Sequence, residues 1–547
     1  MRILKPNLLW SFFSGCLPEL SVLAYLANTL SVFINTLYQF DFPSVDPLQW
    51  RCSGTGNLRI DTRKEPSHMG RIYNPDDFVI QYPGVYHGAA KEAMDKYFAM
   101  IHEINSTEIT GADVAAGRIP AVKLGATLPL SGGFIRYCTE KYAPEYALML
   151  DSEVAKAHGY EDIFAMIGLS SCDDVFTLPT PPEARDTLLV SQINHRVESV
   201  RPVYPGDTLY MIRDKSIITD LTPTGGSIYR HLHQQDFGTV YNQKGEVVNK
   251  VCYTTMESLK VYKEDRLPKP KAEFGFGDMW EDPDWFARPF HPYTDEDYAR
   301  FRETAKNEVV RGDEPLYWED VVVGTEIPDG MFGPIFDGVC PTKPYGMGVG
   351  GCRKLKKEFV QDELFAKMVR DEATGIYTTG DHAYDVPEAP DGIKPFFLAP
   401  PDEEPGEGAG GVNTADIHKT SNDRSALINF MGRDIALGHI LDYVGYHGYI
   451  RSCEWTIMVP DVHAALGKPV PNAPNFRNVA RKVPGMETST IPIHGLTTDV
   501  ARTKARITDK FVREDKYLIE ITFWNVDIED RIWITGAVEV ELPSNRK

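Results

Sequence analysis

Along this chain two kinds of hydrophobic spacing take turns. In Val251-Cys252-Tyr253-Thr254-Thr255-Met256, in Tyr517 to Asp527 and in Trp533 to Leu542, apolar and polar residues alternate. Period-two spacing of this kind puts the apolar side chains on one face of a strand and suits a half-buried sheet. Asn242-Gln243-Lys244-Gly245 and Pro205-Gly206-Asp207 stand between such runs. Gly there supplies a positive φ and Pro presets its own, so these are turns between antiparallel strands. Ahead of each strand set lies one apolar helix candidate. The first runs from Asp151 to Gly159 and continues to Leu169, and the second runs from Arg424 to Gly445.

The order of elements repeats. His195 to Thr208 is followed by alternation and then by Phe237 to Val248; Phe476 to Met486 is followed by the alternating segments that end at Leu542. The expected unit is an α+β one, a long central helix wrapped by an antiparallel sheet, present twice. Residues 46–262 form the first unit and 313–547 the second, joined by a connector, 263–312, rich in Pro and aromatics. Its aromatics predict an extended strap in contact with the body rather than a free linker. Within the second unit, residues 340–412 read as an insertion. It holds a helix candidate from Leu355 to Arg370 and an acidic Pro/Gly-rich loop through Pro400 to Gly406, of the kind that forms lids or is disordered. Gly346 to Gly351 lacks the Lys-Ser/Thr ending of a phosphate loop and reads as plain flexible backbone.

A chain of 547 residues calls for more than one core, or one core on a duplicated sheet. With 42% hydrophobic and 25% charged residues it is an ordinary globular composition, and disorder is at most local. The net charge of −21 repels nucleic acid and anionic membrane surfaces, and no basic patch is segregated. Cys16, Cys52, Cys138, Cys172, Cys252, Cys340, Cys352 and Cys453 show no C-x-x-C pair and no His at zinc-ligand spacing, which predicts reduced thiols in a cytoplasmic protein. Residues 1–45 stand apart. Leu20 to Phe40 carries no charge over 21 residues, long enough to span a membrane as a helix, yet it includes Asn28, Thr29, Asn35 and Thr36. A membrane anchor, a cleaved signal peptide behind Lys5, and an over-extended gene start are the three readings.

Leu316-Tyr317-Trp318-Glu319-Asp320-Val321-Val322-Val323-Gly324-Thr325-Glu326 with Gly333-Pro334-Ile335 resembles the opening segment of MaoC-like hot-dog proteins. Asp151-x-Glu153-x-Ala155-x-x-x-Gly159, Pro205-Gly206-Asp207 and Asn242-Gln243-x-Gly245 resemble the first half of tandem members, and the matches span about Gly125 to Pro543. The resemblance implies a tandem double hot-dog fold and reversible hydration of a 2-enoyl-CoA. The family's hydratase motif is Gly-Asp-x-Asn-Pro-x-His, in which a carboxylate and an imidazole share one water. One group removes a proton while the other delivers one, and a backbone N–H at a helix start stabilises charge on the thioester oxygen.

Carried over, the motif's His falls on Met149 and its Asp on Pro144 in the first half, so that half is expected to shape the acyl pocket without proton-transfer groups. In the second half His418 takes the histidine place. Asn413 stands where the family has Asp, and an amide orients water but cannot accept its proton. Asp416 is one substitute; Asp381 is the preferred one, because Tyr377-Thr378-Thr379-Gly380-Asp381 resembles the family's approach to that carboxylate. His439 and His447, at i and i+8, are expected on one helix face, with satisfied core histidines the commoner role.

The resulting expectation is a hydro-lyase acting on an enoyl-CoA/3-hydroxyacyl-CoA type thioester. A hot-dog thioesterase and a non-catalytic acyl-thioester-binding protein are the alternatives. No metal and no redox cofactor is expected, with the CoA thioester as substrate. Expected partners are acyl-CoA and, because a tandem chain already supplies the pairing of single units, at most a second copy in a homodimer; membrane contact is expected only through residues 1–45.

Overall fold

The computed structural model describes residues 88–172, 188–220, 229–260, 288–335, 354–378, 429–456, 493, 495, 496 and 498–546. All belong to one compact unit, residues 71–470 and 478–547. The alternating segments form strands as their pattern predicts. The first half contributes β1 (Leu124–Pro129), β2 (Leu188–Ser199), β3 (Thr208–Asp220), β4 (Tyr229–Tyr241) and β5 (Val247–Lys260). The second contributes β6 (Glu326–Phe332), β9 (Tyr449–Thr456), β10 (Ala501–Arg513), β11 (Lys516–Val526) and β12 (Ile532–Glu541). Between them β7 (Val369–Arg370) and β8 (Tyr377–Thr378) form a separate two-stranded ladder.

The ten strands join in the order β1-β3-β4-β5-β2-β9-β12-β11-β10-β6, every neighbouring pair antiparallel. Followed outward from the middle, each half has the same order: β2-β5-β4-β3-β1 matches β9-β12-β11-β10-β6. The duplication expected from the repeat is therefore present as a two-fold arrangement about the β2–β9 seam, where Asn194 faces Thr456 and Glu198 faces Ser452. The Asn194 side chain crosses the seam, donating to the Trp455 carbonyl at 3.0 Å and the Thr456 hydroxyl at 2.9 Å. β1 and β6, at the two ends, carry Pro129 and Pro328, residues that suit a strand with one unpaired side.

Around this sheet lie α1 (Gly88–Ser106), α2 (Gly111–Ala115), α3 (Gly132–Tyr142), α4 (Ser152–Ala157), α5 (Ile167–Ser170), α6 (Asp295–Asn307), α7 (Lys356–Val360), α8 (Asp362–Phe365) and α9 (Asn429–Val444). The second-half central helix, α9, falls inside its predicted span. Every residue from Met431 to Gly445 is buried, the signature of a helix apolar on all sides and wrapped by its sheet. Gly438 lets α9 approach α3: a Cβ there would lie 2.1 Å from the Tyr142 carbonyl oxygen.

The first-half helix is not the single long one expected. Asp151 caps α4, accepting from the Glu153 and Val154 N–H groups, and Gly159 at φ +87° ends it. Residues 160–166 are not helical, and the Ala165 N–H donates to the Val203 carbonyl at 2.9 Å before one further turn, α5. The connector also departs from expectation. Its described part is largely helical, because Thr294 and Asp297 form a capping box and Tyr298, Phe301 and Ala305 share a buried face. The aromatic contacts are as expected: Tyr293, Tyr298 and Phe301 form a second core with Leu355, Phe359, Met368 and Ile376. The helix predicted over Leu355–Arg370 is broken at Gln361 into α7 and α8, then gives way to β7. Phe359 and Phe365 would sit about 120° apart on a continuous helix; the break lets both rings reach Tyr298, each at 6.0 Å. The insertion is thus packed against the connector through Thr378. Residues 1–45, the glycine-rich run and the acidic loop lie outside the described residues; among the described residues no helix is long and apolar enough to cross a membrane.

Candidate functional site

A small, partly open pocket lies where the two halves meet. The first half supplies Tyr146 and Met149 from a turn of 3-10 helix, Phe164 to Ile167 and Ser170 around α5, and Ser199 to Val203 beyond β2; the second supplies Leu441 of α9 and Gly448 to Ile450 at the start of β9. Local chemistry fixes these walls. Asn249 of β5 donates to the Ser170 carbonyl at 2.6 Å, Tyr253 donates to the Ser171 carbonyl at 2.7 Å, and Tyr160 stacks on Phe164 at 4.4 Å. Across the halves, the Ser199 and Tyr449 hydroxyls share a hydrogen bond of 2.7 Å, and the Tyr146 hydroxyl donates to the Gly445 carbonyl at 3.3 Å.

The lining includes no Asp, Glu or His. Burial pushes the Tyr146 and Tyr449 hydroxyls above the ordinary tyrosine range, so neither becomes a base near neutral pH. Arg201 is the one charged residue of the lining, and it pairs with Glu246 at 2.8 Å. The pocket's lining carries no general base. Met149, on which the motif's histidine falls, is one of its walls.

Asp381, Asn413, Asp416 and His418 lie outside the described residues. In sequence Asp381 follows Thr378, the end of β8, by three positions, and His418 precedes Asn429, the first residue of α9, by eleven. The start of α9 carries polar groups that sequence reasoning does not single out. Arg433 and Asp434 pair through two bonds of 2.7 and 3.0 Å, and the guanidinium lies 4.6 Å over the Trp455 ring. Gly168 of α5 sits against this pair with no room for a side chain.

His439 and His447 do not share a helix face, because α9 ends at Val444 and Gly445 takes φ +72°. His439 is buried, and neither ring nitrogen reaches a partner in good hydrogen-bond geometry. Burial pushes its pKa down to about 4, against the opposing influence of Glu308 and the Pro328 carbonyl, so the ring is neutral. It borders a sealed charge cluster that sequence reasoning also misses. The Lys354 ammonium lies 2.6 Å from Glu308 and 3.0 Å from Asp442, and Lys356 lies 3.5 Å from Glu308. Burial alone would lower Lys354, but Asp442 and Glu308 hold it above its usual range. Burial would raise Glu308, yet the Lys354 ammonium, with Lys356, brings it below; for Asp442 burial wins and the carboxyl stays raised. These groups tie connector, insertion and α9 together, and they are closed to substrate.

The strand order defines a double hot-dog fold. No protein-family profile and no curated protein matches the sequence. The solved structures that it is similar to include a MaoC domain protein dehydratase from Chloroflexus aurantiacus, at 10% identity and a TM-score of 0.38, the match covering 77% of this chain and 95% of that one. A Mycobacterium tuberculosis protein described as having a double hotdog fold matches at 12% identity and 0.38, over 77% and 94%. A MaoC-like dehydratase from Phytophthora capsici matches at 9% identity and 0.29, over 77% and 96%.

Proposed function

We propose that this chain is a hydro-lyase that adds or removes water on an enoyl-CoA/3-hydroxyacyl-CoA type thioester, with the two halves in different roles. The observation that carries the reading is the asymmetry of the halves: the pocket beside Met149 lacks acid and imidazole in its lining, whereas the second-half sequence carries His418 with Asp381 and Asp416. The acyl chain enters at the junction, against Met149 of the first half and Leu441 of the second. In hydration a carboxylate, Asp381 or Asp416, takes a proton from water as the oxygen bonds to the β-carbon, and His418 delivers a proton to the α-carbon. Electrons moving onto the thioester oxygen are met by a backbone N–H at a helix start, and no group outside the protein and substrate is consumed.

The test is absorbance of the enoyl-thioester band on mixing the full chain with a panel of enoyl-CoAs, with a thiol reagent in parallel. Loss of the band without thiol release supports hydration, and His418→Ala is expected to slow it by about 10²- to 10⁴-fold. Thiol release at the same rate would identify a thioesterase instead. Binding of acyl-CoA with neither signal would leave a non-catalytic binding protein and overturn the proposal.

A further inference from the structure

Three segments far apart in sequence converge on one exposed point beside the junction of the halves. His158 closes α4, Asp313 lies in the described stretch after α6, and His447 follows α9. The His158 Nε2 lies 2.7 Å from the Asp313 Oδ1 and the His447 Nε2 lies 3.0 Å from the same oxygen, and also 3.1 Å from the Asp313 carbonyl oxygen. One ligand atom from each of the three residues lies within 4.8 Å of those of the other two. The rings are held in place by their surroundings: Tyr446 packs edge-on against His158 at 5.5 Å and against Tyr146 at 5.5 Å.

The tautomer of His158 gives this cluster its meaning. Its Nδ1 lies 2.8 Å from the Val154 carbonyl, which accepts and so fixes the proton on that nitrogen. The 2.7 Å contact between Nε2 and the Asp313 carboxylate is a hydrogen bond that Nε2–H donates, so an ion binding here displaces that proton and takes up the Nε2 lone pair. A backbone carbonyl that orients a histidine through its far nitrogen is the usual outer support of a metal-ligating imidazole. From this convergence we propose that His158, Asp313 and His447 form a binding site for a divalent transition-metal cation, Zn²⁺ by preference. Two imidazoles and one carboxylate are a zinc donor set, and the exposed Asp313 leaves the fourth position to water. In a tetrahedral site with bonds of about 2.0–2.1 Å, ligand atoms stand about 3.3 Å apart. The observed 2.7 and 3.0 Å need to open by a few tenths of an ångström, and the two histidine nitrogens, which lie within 4.8 Å, settle to the same spacing around the ion. Bound there, the ion would fasten α4, the connector and the end of α9 at one point, next to Gly448 and Tyr449 of the pocket wall.

The experiment uses the full chain, stripped with a chelator, dialysed, and titrated with Zn²⁺ by calorimetry and with Co²⁺ by visible spectroscopy. One ion per chain is expected at this site, with the d–d bands of a nitrogen/oxygen-ligated Co²⁺ and a metal-dependent rise in the unfolding midpoint. Asp313→Asn is expected to weaken Zn²⁺ binding by about 10- to 100-fold, and His158→Ala with His447→Ala to remove it. Circular dichroism verifies that the variants fold. Absence of Co²⁺ bands and of any midpoint shift in the unmodified chain overturns the site, as does Zn²⁺ affinity unchanged in the double variant. Both results are independent of whether the chain hydrates enoyl-CoA.

Discussion

Replacing Lys354 with methionine tests the sealed charge cluster. The substitution keeps length and removes the ammonium that pairs directly with both Glu308 and Asp442. Lys356 remains 3.5 Å from Glu308, so Asp442 is the group left stranded. Removing one partner of a buried pair costs about 3–5 kcal/mol. The stranded carboxyl can escape by taking a proton, and that escape sets a ceiling. From its ordinary value of 3.8, protonation costs about 4.4 kcal/mol at pH 7 and about 1.6 kcal/mol at pH 5, at about 1.36 kcal/mol per pH unit. The folded-state pKa of Asp442, already above its unfolded value, rises further in the variant, so the penalty is absent below the unfolded value and grows as pH rises toward the folded one. Urea unfolding of Lys354→Met is therefore expected to show a loss of about 3–4 kcal/mol at pH 7, reduced by about 2–3 kcal/mol at pH 5, with m unchanged. Adding Asp442→Leu should restore part of it. A loss under about 1 kcal/mol at pH 7, or the same loss at both pH values, would refute the idea that Lys354 balances buried charge.

Two further perturbations follow from the same helix. His439 titrates at about 4 in the folded protein against 6.5 unfolded, so the unfolded chain binds more protons between these values. Stability should fall by about 3 kcal/mol as pH drops from about 7 to 4 on this account alone, and parallel urea titrations should show that slope removed in His439→Leu. Gly438→Ala would set a methyl against the Tyr142 carbonyl; a loss of about 1–3 kcal/mol or more is expected by the same assay, and an unchanged midpoint would mean that α3 and α9 can separate freely.

How much of this is legible in the sequence depends on distance along the chain. β5, β11 and β12 are readable because alternation is local, and α9 because a long apolar run between turns has few other outcomes. The first-half helix is the contrary case: Asp151 to Ala157 has good helix chemistry, but the bond between Ala165 and Val203 that redirects the chain joins segments no local pattern connects. The break at Gln361 is likewise set by Tyr298, which lies in the connector. Glu308, Lys354 and Asp442 are ordinary polar residues until folding brings them together. His158, Asp313 and His447 are invisible for the same reason, since none stands at ligand spacing from another. For Asp381, Asn413, Asp416 and His418, which lie outside the described residues, the proposed chemistry rests on the sequence pattern alone.

The seam between β2 and β9 also bears on how the chain reaches this structure. β3, β4 and β5 are consecutive hairpins, as are β10, β11 and β12, and such local pairings close early at small entropic cost. The Asn194 to Thr456 contact spans 262 residues, so the seam is among the last ladders to zip. Until then each half presents a bare central strand, and β2 of one molecule can meet β9 of another as well as its own, which is the route to exchanged dimers and aggregates. The charge of −21 on every molecule works against that encounter, so dilute, low-salt refolding should favour closure within a single chain.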